Sequence, residues 1–517
     1  MLLGDILVAR GLCSAEDVSR AFERQKKEGG RLGDNLVALG LVTAEQLKAV
    51  FSAAPAQPQS LEDVGLDPAE VLKLMMKTIH AENFESPAQI ADAIKLPFTI
   101  VGRLIKEADD RKFLEPLTNS GATTLANMRY ALTATGRAFA ADALEQNQYV
   151  GPIPVSLDAF RERVIMQRIT KERIDRQTIE DSFSDIVVTK EFIEQIGPAI
   201  NSGRSILLYG PPGNGKTSVA ERVGSIYEDI VYVPYAFHVD GQIIKMFDLG
   251  IHKPVQQIES GNRPQTLRKD NFDQRWVPCR RPTVITGGEL TLDMLDLQYS
   301  KSAKFYQAPM HVKALGGTFI IDDFGRQIVK PVDLLNRWIV PLESRVDYLK
   351  LHTGKSFQIP FDELVIFSTN LAPADLMDPA FLRRIPYKLP TEAPSTETFR
   401  SIFQKVAAQH EMTLPDEIFD FVMHELRENN DFPLACYQPK FVVDQVIDAC
   451  KYDGVAPNFK LDLVAMAMGN LYTKDSPGHG ITKQMREANG TNGSSPPQAG
   501  TAASTTDNTR ARATVLQ

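Results

Sequence analysis

The sequence has little cysteine, no excess of basic residues and no long apolar run. Its four cysteines lie far apart in 517 residues and form no Cys-x-x-Cys pair, so we expect neither a zinc site nor a disulfide framework. The formal net charge of −8 argues against a generally basic protein that coats nucleic acid. No apolar stretch approaches the length of a membrane span, and the N-terminus lacks the pattern of a signal peptide. These absences predict a cytoplasmic protein without membrane insertion.

A glycine-rich turn between an apolar run and a helix is the strongest motif. The run Ser205–Tyr209 leads into nine residues that form a phosphate-binding pattern: Gly210, Pro211, Pro212, Gly213, Asn214, Gly215, Lys216, Thr217 and Ser218. The glycines leave backbone N–H groups free to converge on oxyanions, and the following helix points its positive dipole end at the same place. We expect Lys216 to reach the β- and γ-phosphates of ATP and Thr217 to bind Mg²⁺. A plain glycine turn is the alternative.

Polar side chains at the ends of two later apolar runs complete the predicted chemistry. Asp322 and Asp323 follow the run Gly316–Ile321, and Asn370 follows the run Leu364–Thr369. Such strand ends form the ligand edge of an α/β sheet. We expect Asp322 to hold Mg²⁺ through ordered waters, Asp323 to polarise an attacking water and Asn370 to orient that water. A solvated acidic strand end is the alternative for the two aspartates.

Together with Arg383 and Arg384 further along, these motifs have the order and rough spacing of AAA+ ATPases. The stretch from Phe183 to Tyr472 resembles that family. The resemblance implies an α/β fold, with a P-loop parallel sheet and a helical lid. It also implies that an arginine of this pair reaches the γ-phosphate of a neighbouring subunit, and hence a homo-oligomeric ring, commonly hexameric. Two residues depart from the family, which usually has glutamate at Asp323 and a nucleotide-sensing arginine at Lys440.

The first 54 residues contain a repeat with an offset of 29 positions, in which Leu3-Gly4-Asp5 aligns with Leu32-Gly33-Asp34. Each copy predicts a short helix, a glycine turn and a capped helix beginning near Ser14 or Thr43. The repeat resembles the N-terminal domain of type II secretion and type IV pilus ATPases, which implies a bacterial setting. In that family, tandem Arg-Leu-Gly motifs ending in glutamine bind cyclic di-GMP. The matching positions are Leu3, Gly4, Gln25, Arg31, Leu32 and Gly33.

Two departures leave the role of this repeat open. The first copy has Leu2 in place of the arginine, and the second has Ala54 in place of the glutamine. Loss of a guanidinium and an amide removes contacts that such a ligand would need. Binding of cyclic di-GMP and docking of a protein partner are therefore alternative hypotheses.

The segment 66–148 has the order helix, helix, helix, hairpin, and it resembles a winged helix. Its predicted recognition helix carries Arg103 and Lys106 but also Glu107 and Asp109. Such a mixture of charges is a weak signal for DNA binding. DNA binding and protein docking are again alternatives.

The length suggests about three or four domains. We divide the chain into a tandem-repeat N-domain (1–54), a winged-helix-like domain (66–148), a connector (149–178), the AAA+ core (179–392), the lid (393–474) and a disordered tail (475–517).

Two segments within the core have open roles. The alternating stretches 345–351 and 356–359 predict a hairpin, which either touches a substrate in a ring pore or is a plain solvated hairpin. The long segment between Phe237 and Met310 contains aromatic and basic residues, among them Arg275, Trp276 and Tyr306. These residues either line a pore or pack a subunit interface.

The sequence thus predicts a ring-forming ATPase that uses ATP and Mg²⁺ to remodel an unknown protein partner. Regulation by cyclic di-GMP and a link to pilus or secretion machinery are implied by the N-domain resemblance alone. One alternative is a DNA-associated ATPase regulator that uses the winged helix. Another is an assembly switch that binds ATP without hydrolysing it.

Overall fold

The computed structural model describes residues 7–8, 12–28, 32–43, 46, 54–117, 128–171, 173–255, 272–429 and 432–471. Leu3, Gly4 and Arg31, and the predicted tail 475–517, lie outside the described residues. The chain divides into two compact units. The first extends to Ile402 and includes Ala435–Gln438, and the second comprises Phe403–Leu434 and the chain from Pro439 onward.

A five-stranded, fully parallel sheet forms the centre of the first unit. Its strands, in spatial order, are Tyr387–Pro390, Ile206–Tyr209, Leu364–Thr369, Thr318–Ile321 and Thr283–Thr286. The three middle strands are almost wholly buried, as the continuous apolar runs of a sheet covered on both faces require. The predicted α/β fold with a parallel sheet is confirmed.

Alternate residues of this central sheet supply two separate cores, because successive strand side chains point to opposite faces. Ile206, Ile320 and Ile366 pack with helices Lys190–Ser202 and Lys216–Ser225. On the other face lie the neighbouring strand residues and a group of aromatic side chains: Leu207, Phe319, Val365, Phe367, Phe361 and Trp338. This packing fixes the strand ends from which the candidate site is built.

The long segment between Phe237 and Met310 contributes strands to a second sheet, here called the inserted sheet. Its strands, in spatial order, are Gln298–Ser300, Phe305–Gln307, Gln242–Lys245, Ala236–Val239 and Val155–Ser156. A further antiparallel pair joins Ile230–Pro234 to Trp276–Arg280. Val155–Ser156 comes from the predicted connector, so residues 149–178 are not a simple linker: they also hold helix Leu157–Met166 and the start of helix Arg176–Ser182.

Both roles considered for the basic and aromatic residues of this segment are wrong for Arg275 and Trp276. Each of these residues is only 4% exposed within the subunit. The Arg275 guanidinium forms a buried ion pair with Asp273 at 2.8 Å and donates to the carbonyl oxygens of Val64 and Pro154. A guanidinium whose donors are satisfied inside the chain neither lines a pore nor packs against another subunit.

The predicted hairpin is present as strands Val346–Lys350 and Ser356–Pro360, with Leu349 paired to Phe357. One face of it, including both of these side chains, is buried against the core of the inserted sheet. The hairpin is therefore not a plain solvated one.

A buried charge network lies at the base of this hairpin. Asp347 is 1% exposed, and its carboxylate lies 2.8 Å from His311 Nε2 and 2.7 Å from an Arg337 guanidinium nitrogen. Burial alone would raise the pKa of Asp347, but the hydrogen bonds and charges of His311 and Arg337 outweigh it and lower the pKa to about 2. The carboxylate is thus held ionised inside the subunit.

The segment 66–148, here called the helix–hairpin segment, has its elements in the predicted order. They are helices Pro68–Glu82, Pro87–Ile94 and Phe98–Asp110 and strands Leu114–Leu117 and Arg129–Leu132. Helix Ala134–Gln146 follows the hairpin and was not predicted. Ser86 and Gln89 form a reciprocal capping box at the start of the second helix. Arg103 and Lys106 lie on the exposed side of the third helix. The winged-helix assignment stays a prediction.

The N-terminal repeat is visible in the described residues as a repeated bonding pattern. Leu12 N–H donates to the Leu7 carbonyl, and Leu41 N–H donates to the Leu36 carbonyl, both at 3.0 Å. The predicted caps are also present, since Ser14 Oγ accepts from Asp17 N–H and Thr43 Oγ1 accepts from Gln46 N–H. Helices Ala15–Glu28 and Leu32–Ala38 enclose a small core around Leu7, Ala21, Leu36 and Val42.

The second unit is helical in its described part. It contains the end of helix Thr396–Gln409, helix Asp416–His424, the π-helical turn Glu425–Asn429, most of helix Tyr437–Tyr452 and helix Leu461–Leu471. Among the helices described in either unit, none combines the length and apolarity that crossing a membrane requires.

Candidate functional site

The glycine-rich turn lies at the carboxyl end of strand Ile206–Tyr209 and leads directly into helix Lys216–Ser225. Gly215 caps that helix with a φ of 78°, a backbone conformation that side chains rarely adopt. A Cβ at Gly215 would have no neighbour within 4 Å. The first turn of the helix therefore opens onto free space, as a cradle for an oxyanion requires.

Lys216 is held across the mouth of this turn. Its Nζ donates to the carbonyl oxygens of Gly210 at 3.0 Å and Pro211 at 2.8 Å. Burial lowers the pKa of its ammonium group, while Asp323 and Asp322 act in the opposite direction. Among the described residues, this ammonium bonds to backbone carbonyls alone, so it is placed to transfer its hydrogen bonds to phosphate oxygens.

Thr217 and Asp322 meet across the sheet edge. Thr217 Oγ1 donates to Asp322 Oδ2 at 2.8 Å, although the two residues lie 105 positions apart. A hydroxyl and a carboxylate at this distance are oxygen donors of the kind that Mg²⁺ prefers. The structure brings these two predicted metal ligands together.

Asp323 and Asn370 form a second pair beside the first. Asn370 Nδ2 donates to Asp323 Oδ1 at 3.0 Å, so the amide orients the carboxylate rather than standing free. Both follow adjacent strands, since Thr318–Ile321 pairs in parallel with Leu364–Thr369. The parallel pairing of these two strands thus places both side chains at one edge of the sheet.

Sequence reasoning missed two residues that fix this edge. Gln327 Nε2 donates to the carbonyl oxygens of Asp322 and Asp323, and its Oε1 accepts from Gly325 N–H at 2.8 Å. Thr369 Oγ1 donates to the Phe324 carbonyl at 2.7 Å. The sequence feature that could have indicated Gln327 is its place as a polar residue four positions after Asp323.

Contacts from the short stretch Ala435–Gln438 close the other side of the glycine turn. Tyr437 N–H donates to the Gly213 carbonyl at 3.0 Å, and Cys436 N–H donates to Asn214 Oδ1 at 3.3 Å. Asn214 Nδ2 is buried and has no hydrogen-bond partner among the described residues. A buried amide without a partner is costly, so this N–H₂ group is free to donate to a ligand in the turn.

The two arginines have different surroundings. Arg384 pairs with Glu343 of the same chain, with Nε 2.8 Å from Oε1. Arg383 is exposed, and its side chain has no bonded partner in the described part of the chain. Arg383 is therefore the member of the pair that remains available for a group outside the chain.

The remaining predicted ligands lie on other elements of the chain. Lys440 is exposed on helix Tyr437–Tyr452, in the second unit, and its role stays a prediction. Of the predicted cyclic di-GMP residues, Gln25 lies on helix Ala15–Glu28, whereas Leu32 and Gly33 begin the next helix. Leu32 packs on the small core of the repeat.

Comparison with known proteins gives matches to parts of the chain. A family described as "Domain of unknown function (DUF8689)" matches residues 395–470. The proteasome-activating nucleotidase of Methanocaldococcus jannaschii is 24% identical over 282 residues, 51% of this chain and 63% of the relative. That of Archaeoglobus fulgidus is 25% identical over 196 residues, 36% of this chain and 47% of the relative. The chain thus spans between about half and two thirds of these relatives.

Among solved structures, domain III of the Thermotoga maritima replication initiation protein DnaA is 15% identical. The match covers 56% of this chain and 96% of that domain, with a TM-score of 0.32. The sequence similarity to the nucleotidases, together with the parallel sheet and its glycine-rich turn, relates this chain to the AAA+ ATPases.

Proposed function

We propose that this protein hydrolyses ATP and uses the energy to remodel a protein partner. The observation that carries the proposal is the convergence of Lys216, the Thr217–Asp322 pair and the Asp323–Asn370 pair at one edge of the central sheet. This set of groups is the one that in-line attack of water on a γ-phosphate needs. The similarity to proteasome-activating nucleotidases supports a protein as the partner.

Each side chain has a role that follows from its position. Backbone N–H groups of the glycine turn and the Lys216 ammonium bind phosphate oxygens and balance their charge. Asp323 polarises the attacking water, and Asn370 keeps the Asp323 carboxylate in the orientation that accepts its proton. Thr217 and Asp322 would hold Mg²⁺, which would supply positive charge beside the phosphates when bound.

We further propose that the active form is a homo-oligomeric ring, for which six subunits is the common number. Arg383 supports this assembly because it is exposed and unpaired within the described part of the chain. It would contact the nucleotide of a neighbouring subunit, while Arg384 stays bound to Glu343. The Arg383 guanidinium would then complete the site across the subunit boundary.

The experiment that tests the ATPase is steady-state phosphate release by the full-length protein. We expect Lys216→Ala to lose nucleotide binding and turnover, and Asp323→Asn to bind ATP but not hydrolyse it. Asp142→Asn, an exposed change on helix Ala134–Gln146, is the matched control and should behave as the wild type. Equal phosphate release by wild type and Lys216→Ala would instead favour an assembly switch that binds ATP without hydrolysing it.

Regulation by cyclic di-GMP, with a link to pilus or secretion machinery, is a separate hypothesis that rests on the N-terminal repeat. Full-length protein should melt at a higher temperature with cyclic di-GMP, since a ligand that binds only the folded state stabilises it. Gln25→Ala and Arg31→Ala should abolish that shift. An unchanged melting temperature at ligand concentrations well above micromolar would exclude this role and leave the repeat as a docking module.

A further inference from the structure

A basic cavity of about 280 Å³ lies between the helix–hairpin segment and the inserted sheet. Helix Pro68–Glu82 contributes Lys73 and Lys77 to its lining, and the inserted sheet contributes His238 and Lys304. Glu70 is the only carboxylate among its described lining residues. Nothing in the proposed ATPase chemistry uses this cavity.

Lys77 is the most unusual member of the lining. It is only 2% exposed, and its Nζ donates to the Asn147 carbonyl at 2.8 Å. No carboxylate in the described part of the chain lies within ion-pair distance of it; Glu70, the carboxylate that acts on it electrostatically, is paired with Lys73 at 2.7 Å. Burial lowers the pKa of Lys77 to about 8, which leaves it largely charged at neutral pH. A buried ammonium without a counter-ion is costly, and an anion in the cavity would remove that cost.

Two further groups complete a set of donors around the same space. His238 Nε2 is buried and has no hydrogen-bond partner among the described residues. Lys304 lies at the exposed rim, where its Nζ bonds to the Glu145 carbonyl. Since Glu70 balances Lys73, the excess positive charge comes from Lys77 and Lys304.

The two walls of the cavity are joined by specific contacts, so its shape is defined. Gln148 N–H of the helix–hairpin side donates to the Ala303 carbonyl at 2.9 Å. The Tyr149 ring packs edge-on against Phe305, with ring centroids 5.9 Å apart. A ligand here would contact both walls at once.

We propose that this cavity binds a small anion that carries a phosphoryl group. Ammonium and imidazole groups that line one cavity from two walls match a tetrahedral anion, whose oxygens point in different directions. A planar carboxylate offers only two oxygens to the same donors. The bound anion would join the helix–hairpin segment to the ATPase core, since it contacts both.

The test is calorimetric titration of the full-length Lys216→Ala protein with inorganic phosphate. The Lys216→Ala background weakens anion binding at the glycine-rich turn, so a remaining site can be assigned elsewhere. We expect one saturable site per chain. Adding Lys77→Met should weaken it at least about tenfold, as loss of a charge-assisted hydrogen bond does. Adding Lys106→Met, an exposed lysine on helix Phe98–Asp110, is the matched control and should leave the affinity unchanged.

Three outcomes would overturn the proposal. The first is the absence of a saturable site in the Lys216→Ala background. The second is an unchanged affinity in a folded Lys77→Met protein. If Lys77→Met fails to fold, Lys304→Met changes only the exposed rim, and unchanged affinity there counts equally against the site. The third is succinate binding as tightly as phosphate, which would contradict the phosphoryl specificity. Binding of a sugar phosphate more tightly than phosphate would identify a phosphorylated metabolite as the source.

Discussion

Replacing Gly210 by alanine should damage the nucleotide site through the backbone. Gly210 has a φ of 146°, and a Cβ built there would lie 2.2 Å from the Thr391 carbonyl oxygen, where real contacts stay above 3.0 Å. Thr391 cannot recede easily, because its N–H donates to the Tyr209 carbonyl at 2.8 Å. The glycine-only backbone conformation costs about 1–3 kcal/mol, and overpacking adds about 1–3 kcal/mol.

Gly215→Ala provides the matched comparison in the same turn. Gly215 also has a positive φ, of 78°, but a Cβ there would meet nothing within 4 Å. Its cost to the free protein is therefore only the backbone term, about 1–2 kcal/mol. The new methyl group would instead occupy the open space in front of helix Lys216–Ser225, where we place the phosphates.

The two variants should therefore separate stability from binding. Without nucleotide, we expect the core to melt about 5–15 °C lower in Gly210→Ala and about 2–6 °C lower in Gly215→Ala. Gly215→Ala should nevertheless lose most of its affinity for a fluorescent ATP analogue. Wild-type affinity in Gly215→Ala would refute our placement of the phosphates. Equal melting of the two variants would refute the steric argument at Thr391.

Three other predictions follow from the surrounding contacts. The pKa of Asp347 is lowered from a usual 3.8 to about 2, which should contribute about 2 kcal/mol of stability above pH 4 that is lost as the pH falls from 4 to 2. In thermal unfolding across pH, Asp347→Asn should melt lower than the wild type at pH 7. Its melting temperature should also lack the part of the fall between pH 4 and 2 that Asp347 causes. Arg383→Ala should abolish ATP turnover. Mixing it with subunits that carry Lys216→Ala should restore turnover in mixed rings, because Arg383 acts on the nucleotide of the neighbouring subunit. Arg384→Ala should lower the melting temperature, and such mixing should not restore it. Asp323→Glu should release phosphate from ATP more slowly than the wild type in the steady state. Faster release by Asp323→Glu would contradict the inference that the backbone turn at Asp323 suits the shorter side chain.

The glycine turn and the acidic strand ends could be predicted because their chemistry is local. Lys216 and Thr217 follow directly on the glycines, and Asp322 and Asp323 follow directly on a buried strand. Parallel pairing then brings strand ends together whatever the rest of the chain does. The main difference from the prediction concerns Asn370. We expected its amide to orient a water, and in the structure it donates to the Asp323 carboxylate.

The surroundings of the inserted sheet could not be predicted, because they depend on partners far away in the sequence. Arg275 has its carboxylate partner two residues away, but its carbonyl acceptors lie 211 and 121 residues away, at Val64 and Pro154. The sequence alone does not show whether basic and aromatic residues in a long segment are buried inside the subunit, line a pore or pack a subunit interface. The connector was misjudged for the same reason, since Val155 pairs with Phe237 across 82 positions.

The turn at Asp323 gives a physical reason for the residue that departs from the family pattern. Asp323 has a φ of 48°, a left-handed conformation in which aspartate and asparagine are enriched over longer side chains. Gln327 holds that conformation through the carbonyl oxygens of Asp322 and Asp323, and Phe324 N–H is tied to the Ser368 carbonyl at 2.7 Å. The shorter carboxylate is thus part of a fixed turn. The position of its carboxylate is set by that backbone and by the hydrogen bond from Asn370, so we expect the longer side chain of Asp323→Glu to place its carboxylate differently.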